Sequence, residues 1–102
     1  MNIFQVFSKK DGINFKELVA RGAVILDVRS KDEFAGGHVT GAINLPLDAL
    51  ALVTSVVSNK NTGVIICCMS GGRSSMAMNI LQSLGYTNVH NGGGWKSLQE
   101  KL

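Results

Sequence analysis

The sequence predicts an α/β fold in which helices cover both faces of a central, mainly parallel sheet. Short apolar runs that do not alternate with polar residues recur along the chain, as is typical of strands buried on both faces. Helix-capping signals separate these runs, and the alternation of strands and helices favours a three-layer α/β/α arrangement with about four to five strands. Because the chain has 102 residues and shows no linker or internal repeat, residues 1–102 are predicted to form a single domain.

In the first half of the chain, cap residues indicate the helices and apolar, β-branched runs indicate the strands. Asn14 is a side-chain cap for the first helix, and Ser30–Glu33 is a capping box for the second. In chain order, the predicted elements are a helix from Asn14 to Gly22, a strand over Ala23–Asp27, a short helix from Ser30 to about Gly36, a strand over Ala42–Leu45 that Pro46 ends, and a helix from Asp48 to about Val57 with Leu50, Thr54 and Val57 on one side.

The second half of the chain is predicted to contain two further strands and two further helices. The third strand spans Val64–Cys67, and a helix with apolar residues at helical spacing follows Arg73 and ends at Gly85. The apolar residues of this helix are Met76, Ala77, Ile80, Leu81 and Leu84. The remaining predicted elements are a short strand over Val89–Asn91, a turn over Gly92–Gly94 and a terminal helix from Trp95.

A cysteine-containing loop joins the third predicted strand to the helix after it. Within Val64–Ser75, small residues follow Cys68 and lead to Arg73. In a loop of this kind, backbone N–H groups converge on one point, and the helix N-terminus adds its unpaired donors and positive dipole. A cysteine at that point is stabilised as the thiolate, which is the nucleophilic form. The sequence therefore predicts covalent cysteine chemistry on an anionic substrate.

The distribution of charge is more informative than the net charge of +3, which is too small to indicate nucleic acid binding by itself. No acidic residue lies between Asp48 and Glu100, whereas Lys60, Arg73 and Lys96 fall in this stretch. Two interpretations stay open. Either this half of the chain offers a positive field to an anion, or its buried strands and loops simply hold few charges.

Composition also bounds the location and the kind of site. No apolar stretch approaches the ~20 residues of a membrane helix, and residues 1–10 do not resemble a signal peptide. A cytoplasmic protein is therefore expected, or a periplasmic one if a leader has been removed. The two cysteines are adjacent, which argues against a disulfide framework, and no spacing typical of a metal site occurs. A monomer that binds neither nucleic acid nor membrane is the expectation.

Several motifs occur in the order that they have in a known family. Those in the first half are Leu26–Arg29, Glu33–Phe34 and Gly37–Pro46, and those in the second half are Cys68–Ser74, Leu84–Val89 and Gly93–Trp95. Together they resemble the N-terminal signature, the active-site loop and the closing part of rhodanese-like domains. The resemblance covers about Phe15 to Trp95, and the order of several separate motifs makes it specific.

The resemblance implies a thiosulfate sulfurtransferase, or rhodanese. In that family, the loop cysteine takes a sulfur from thiosulfate or a related donor, becomes a persulfide, and passes the sulfur to cyanide or a thiol. Carried onto this sequence, Cys68 is the nucleophile, and Asp27 and Arg29 support the site. The residues implied to hold the donor are Met69, Ser70, Gly71, Gly72, Arg73 and Ser74. Neither a metal nor an organic cofactor is implied.

Two features of the loop leave alternatives open. Arg73 has two candidate roles, because its side chain either faces the donor or turns back to pair with an acid such as Asp27 or Glu33. The loop carries no charge before Arg73, and Met69 is flexible and apolar. An organic persulfide donor or a protein sulfur acceptor is therefore an alternative to thiosulfate and small-molecule acceptors.

The double cysteine creates a second register and therefore a second candidate function. Counted from Cys67, five residues precede Arg73, which is the signature of tyrosine phosphatases and related arsenate reductases. Cys67 continues the apolar strand, however, and no acidic residue that could act as a general acid follows the loop before Glu100. The sulfurtransferase reading with Cys68 is therefore preferred. A sulfur carrier or binding module without turnover is a further alternative.

Overall fold

Residues 12–102 are described by the computed structural model, and they form a four-stranded, all-parallel sheet with helices on both faces. The strands are β1 (Val24–Asp27), β2 (Ile43–Asn44), β3 (Val64–Cys68) and β4 (Val89–Gly94). The helices are α1 (Phe15–Ala20), α2 (Lys31–Ala35), α3 (Val53–Val56), α4 (Gly72–Ser83) and α5 (Trp95–Glu100), and a 3-10 helix over Leu47–Leu52 precedes α3. The strand order β2-β1-β3-β4 confirms the predicted parallel α/β class.

The central strand β3 contributes to two separate cores because its side chains alternate between the faces of the sheet. Val64, Ile66 and Cys68 pack with residues of α3 and α4 on one face. Ile65 and Cys67 pack on the other face with residues of α1 and α5. All five residues of β3 are buried, as expected for a strand covered on both sides. The two adjacent cysteines therefore belong to different layers of the molecule.

Local capping signals placed the early helices correctly. The Asn14 side chain accepts a hydrogen bond from the backbone N–H of Glu17, which begins α1. At α2, the Ser30 hydroxyl accepts from the backbone N–H of Glu33, and the Glu33 carboxylate accepts from the backbone N–H of Ser30. This is the predicted capping box, with both of its hydrogen bonds formed.

The helix predicted from Asp48 to Val57 is instead a 3-10 helix followed by the single-turn α3. Leu50, Val53 and Val57 are its buried residues, whereas Thr54, which was predicted to share their face, is exposed. A 3-10 helix has three residues per turn and so places Leu50 directly in line with Val53. The tighter winding therefore turns Val53 rather than Thr54 towards the core.

The apolar pattern of α4 was a poor guide to its buried face. Ala77 and Leu81 are buried, but Met76, Ile80 and Leu84 are 56%, 37% and 40% exposed. The buried stripe of α4 begins at Ser74, which lies beside the cysteine loop. Because the first turn is held against this loop, the helix is rotated so that a narrow stripe formed by Ser74, Ala77 and Leu81 faces the sheet.

The glycines predicted to form a turn after Asn91 belong to β4 instead. Gly93 pairs with Cys67 and Gly94 with Cys68, after an irregularity in the register between β3 and β4. A Cβ atom on Gly92 would lie 2.9 Å from Cγ2 of Ile65, and one on Gly94 would lie 2.7 Å from the carbonyl oxygen of Met69. The absence of side chains therefore lets the end of β4 lie directly against β3 and the cysteine loop.

Candidate active site

Cys68 lies at the carboxyl end of β3, where the chain enters the loop that leads to α4. Its sulfur accepts hydrogen bonds from the backbone N–H groups of Gly71 at 3.0 Å and Ser74 at 3.4 Å. The Ser74 hydroxyl oxygen lies 3.5 Å from the same sulfur. Cys68 is only 1% exposed, so the sulfur sits at the bottom of the loop rather than on its rim.

These contacts lower the pKa of the Cys68 thiol. Burial by itself would raise the pKa, because it disfavours the charged thiolate. Hydrogen bonds from the side chain and N–H of Ser74 and from the N–H groups of Gly71 and Ser70 outweigh burial. The loop thus stabilises negative charge on sulfur with neutral donors, in the way that helix N-termini and glycine-rich turns stabilise anions.

Cys67 lies on the opposite face of the sheet and has the opposite chemistry. It is fully buried in the core formed with residues of α1 and α5. Burial, with the nearby charge of Asp27, raises the pKa of the Cys67 thiol to about 12. At neutral pH this thiol is therefore protonated, and it packs in a different core from Cys68.

The loop can take its shape because glycine occupies two positions. Gly71, which precedes α4, has a φ angle of 108°, a left-handed conformation that a side chain disfavours. Gly94 brings its Cα close to the carbonyl of Met69, where no Cβ fits. These two constraints hold the Gly71 N–H against the Cys68 sulfur. Met69, by contrast, is exposed at the surface of the loop.

Arg73 binds Glu33 through both terminal nitrogens of its guanidinium group. The Nη1–Oε1 distance is 2.8 Å and the Nη2–Oε2 distance is 3.0 Å. Arg73 thereby lowers the pKa of Glu33 to about 2, with a further contribution from the Ser30 N–H. Of the two candidate roles for Arg73, this geometry favours the tie to an acid over contact with a substrate.

Asp27 and Arg29 form a buried ion pair on the face of the sheet opposite to Cys68, and they do not touch the Cys68 sulfur. Nη2 of Arg29 lies 2.6 Å from Oδ2 of Asp27, and both side chains are almost completely buried. Arg29 also donates to the backbone carbonyls of Glu33 and Gly37, at 3.3 and 2.7 Å, and its guanidinium lies 4.9 Å from the centre of the Trp95 ring. The pair therefore holds the segment around α2, which carries the partner of Arg73.

Asp27 is thus not available to Arg73, contrary to one of the two pairings that the sequence allowed.

Asn91 belongs to the candidate site, although no motif in the sequence indicated it. Its Oδ1 atom lies 2.6 Å from the Ser74 hydroxyl oxygen and accepts from the Gly93 N–H at 2.8 Å. The available signal was its place near the carboxyl end of a strand next to β3, since parallel strands present such residues at one sheet edge.

A shallow depression of about 900 Å³ lies beside Arg73, on the face of the sheet that carries Cys68. Its apolar lining includes Val28 and Leu47, which belong to or pack against the same core as Cys68. Within residues 12–102, the His, Cys, Asp and Glu side chains form no group of three that could hold a metal ion. Over the same residues, no helix has the length and apolar character needed to cross a membrane.

Comparison with known proteins agrees with this architecture. A family model described as the rhodanese-like domain matches residues 13–101. The thiosulfate sulfurtransferase PspE of Escherichia coli K12 is 39% identical over 74 residues, which covers 72% of this chain and 71% of that protein. Protein HIGH ARSENIC CONTENT 1, mitochondrial, of Arabidopsis thaliana is 37% identical over 91 residues, which covers 78% of this chain and 53% of that protein.

A solved structure of a rhodanese with anions from E. coli has a TM-score of 0.72 and 38% identity to this chain. The match covers 74% of this chain and 91% of that one. The resemblance predicted from the ordered motifs is therefore confirmed at the level of sequence and of fold. Since the family model spans nearly all of the described residues, the chain belongs to the family of rhodanese-like domains.

Proposed function

We propose that this chain is a sulfurtransferase that moves a sulfane sulfur from thiosulfate or a related persulfide donor to cyanide or a thiol. The observation that carries the proposal is the convergence of the Gly71 and Ser74 N–H groups on the Cys68 sulfur. The same chemistry is supported by the sequence similarity to a protein named thiosulfate sulfurtransferase and by the structural similarity to a rhodanese solved with anions.

The proposed reaction has two displacement steps. The Cys68 thiolate attacks the outer sulfur of thiosulfate, a new S–S bond forms, and the old S–S bond breaks with its electron pair leaving on sulfite. In the second step, cyanide attacks the outer sulfur of the persulfide, thiocyanate leaves, and the Cys68 thiolate is restored. Such covalent catalysis replaces one difficult transfer by two easier ones. With the thiolate already stabilised, the first step needs no general base.

The loop residues have distinct proposed roles in this scheme. The backbone N–H groups of Met69–Ser74 are proposed to hold the anionic donor and then the persulfide, whose terminal sulfur carries the negative charge. Arg73, paired with Glu33, anchors the loop to α2. Asp27 and Arg29 support that anchor from the other side of the sheet. The scheme uses neither a metal nor an organic cofactor.

The alternative nucleophile, Cys67, receives no support from its surroundings. A phosphatase or arsenate reductase acting through Cys67 would need its thiolate to reach the loop, but this thiol has a pKa of about 12 and packs in the opposite core. A sulfur carrier that receives and delivers sulfur without rapid turnover would use the same Cys68 persulfide. Turnover with small acceptors is what separates the carrier from the enzyme.

The decisive experiment is intact-mass measurement after brief incubation with thiosulfate. Wild type and Cys67→Ser are expected to gain one sulfur atom, which cyanide then removes, and Cys68→Ser is expected to gain none. Cys67→Ser is the matched control, since it makes the same chemical change one residue away. A sulfur gain that depends on Cys67 and survives in Cys68→Ser would overturn the assignment. Loading without catalytic thiocyanate formation would identify a carrier.

A further inference from the structure

The Ser74 hydroxyl stands between two acceptors and the Cys68 sulfur, yet it has one hydrogen to donate. Its oxygen lies 2.6 Å from Oδ1 of Asn91, 3.0 Å from the carbonyl oxygen of Gly71 and 3.5 Å from the Cys68 sulfur. Ser74 is fully buried, so water does not compete for this hydrogen. The shortest of the three contacts is the one to Asn91.

The orientation of the Asn91 amide is determined by its other partners. The Gly93 N–H donates to the same Oδ1 atom at 2.8 Å, which an NH₂ group in that place could not accept. The other end of the Asn91 amide, Nδ2, lies 3.4 Å from the Gly71 carbonyl oxygen. Asn91 therefore presents an acceptor to Ser74, and the two contacts connect β4 to the cysteine loop.

This arrangement distinguishes the thiol from the thiolate. In the thiol form, the S–H group donates to the Ser74 oxygen while the Ser74 O–H donates to Asn91, so that each hydrogen has an acceptor. When the thiol proton leaves to water, the sulfur becomes an acceptor only. The Ser74 O–H then adds to the backbone N–H donors at the sulfur only by turning away from Asn91 and from the Gly71 carbonyl. Asn91 thus competes with the thiolate for one hydrogen.

We propose that Asn91 is a positioning residue that competes with the Cys68 sulfur for the Ser74 hydroxyl hydrogen and thereby limits how far this hydroxyl adds to the N–H donors that stabilise the thiolate. The inference deepens the proposed function and rests on it only for its consequence in sulfur transfer. In that scheme, a competitor for the hydrogen makes the fraction of Cys68 present as the reactive thiolate smaller than the loop would otherwise give.

Of the charged groups on the elements around Cys68, Lys31, Asp32 and Asp48 line the depression beside Arg73, and the others are held by partners of their own. Arg73 of α4 is paired with Glu33 of α2. On the opposite face of the sheet, Asp27 of β1 is paired with Arg29, and Cys67 of β3 stays protonated at neutral pH. Substitution of Asn91 removes none of these groups, but it also removes the contacts of Asn91 with the Gly71 carbonyl and the Gly93 N–H. Only the part of a change in Cys68 ionisation that depends on Ser74 therefore reports the hydroxyl hydrogen.

The test is a double-mutant cycle between Asn91→Leu and Ser74→Ala, with iodoacetamide alkylation of Cys68 measured from pH 4 to 9. Leu has nearly the shape of Asn but accepts no hydrogen bond. With Ser74 present, Asn91→Leu is expected to lower the pKa of Cys68 and to speed alkylation on the acidic side by about threefold to tenfold. In the Ser74→Ala background the same substitution is expected to have no effect.

Controls separate this mechanism from a general loosening of the loop. Asn88→Leu changes an asparagine at the other end of the β4 segment, which contacts His90, and is expected to leave the alkylation profile unchanged. Asn91→Asp keeps the shape of the side chain and makes it a stronger acceptor, so the part of its effect that depends on Ser74 should slow the alkylation of Cys68. Asn91→Asp also takes the place of Asn91→Leu in the test if Asn91→Leu does not fold. Equal shifts with and without Ser74, or no shift in either, would overturn the proposal.

Alkylation requires no sulfur donor, so the two hypotheses fail independently. Wild type that gains no sulfur from any donor but shows the Ser74-dependent shift would refute the sulfurtransferase and leave the role of Asn91 intact. Normal sulfur transfer with a flat double-mutant cycle would refute the role of Asn91 alone. Peptide mass spectrometry assigns the alkylated cysteine in each case.

Discussion

Two adjacent cysteines differ in chemistry because successive side chains of a strand point to opposite faces of a sheet. Cys67 enters an apolar core, where burial raises the pKa of its thiol to about 12. Cys68, one residue later, faces the loop, where N–H and O–H donors lower the pKa of its thiol. The ionisation of these two thiols is thus set by the direction of the side chain rather than by the type of residue.

The buried Asp27–Arg29 pair makes a prediction at the same scale. Asp27→Asn leaves the Arg29 guanidinium buried without a counter-charge, and removing one partner of a buried pair typically costs about 3–5 kcal/mol. We expect the free energy of unfolding to fall by about that amount, as measured by urea denaturation. Sulfur loading of Cys68 should fall with the folded fraction, because neither residue touches the sulfur.

The matched control is the exposed ion pair between Arg21 and Glu17, whose side chains are 75% and 56% exposed. Glu17→Gln should change the free energy of unfolding by less than about 1 kcal/mol, since solvent screens such pairs. Equal losses for Asp27→Asn and Glu17→Gln would show that burial of the Asp27–Arg29 pair has no energetic consequence.

At the scale of elements, one carboxylate joins two helices. Glu33 completes the capping box of α2 by accepting from the Ser30 N–H, and it also accepts hydrogen bonds from Arg73 in the first turn of α4. Because Arg73 follows the cysteine loop directly, the position of α2 restrains the loop. The end of β4 restrains it from another side, through Gly94 and Asn91. The loop is therefore held between neighbouring elements rather than by its own residues alone.

Glu33→Gln tests this connection, since Gln keeps the cap but loses the charge. The folded pKa of Glu33, about 2, lies below the ordinary value of ~4.3, so the stabilisation is fully present above about pH 4.3 and is lost as pH falls through about 2. The difference in unfolding free energy between wild type and Glu33→Gln should therefore be constant near neutrality and vanish towards pH 2. It should be small, because the side chains of Arg73 and Glu33 are 39% and 30% exposed.

Arg73→Lys is the companion variant, because lysine keeps the charge but cannot form the two parallel hydrogen bonds. We expect sulfur loading to slow by about tenfold or more, since displacement of the loop misplaces the reacting atoms. Wild-type loading rates in Arg73→Lys would contradict the anchoring role. An NMR titration of the wild-type protein in which the Glu33 carboxyl has its ordinary pKa would also contradict the anchoring role of Arg73.

At the scale of the whole molecule, charge is distributed unevenly along the chain and around the site. All acidic residues except Glu100 lie in the first 48 positions, and the segment that forms β3, the loop and α4 contains none. Glu33 and Asp27 are paired with Arg73 and Arg29, whereas Asp32 and Asp48 line the depression beside Arg73. An anionic donor therefore approaches a loop without unpaired negative charge on its own segment.

This distribution predicts a salt dependence for sulfur loading. Raising the ionic strength from ~0.01 M to ~0.15 M shortens the Debye length from ~30 Å to ~8 Å and should slow loading by thiosulfate several-fold. Alkylation by iodoacetamide, which is neutral, should change little over the same range. Stopped-flow or quenched mass measurements of both rates provide the comparison. Equal responses of the two reagents would show that the field does not attract the donor.

The sequence by itself determined the parallel α/β order, the caps of α1 and α2, the family and the loop that begins at Cys68. These features depend on periodicity, capping and contiguous motifs, all of which are local and can be read along the chain. Local periodicity misled at α4, where Met76 and Ile80 are apolar but exposed, because the packing of its first turn sets the rotation of the helix.

Only the tertiary structure decided which side chains complete the site. Arg73 meets Glu33 across 40 positions of sequence, and Ser74 meets Asn91 across 17. Gly94 is required by the approach of the Met69 carbonyl rather than by a turn. Contacts of this kind depend on strand order and helix rotation, which place distant residues within hydrogen-bond reach and leave no mark in local sequence.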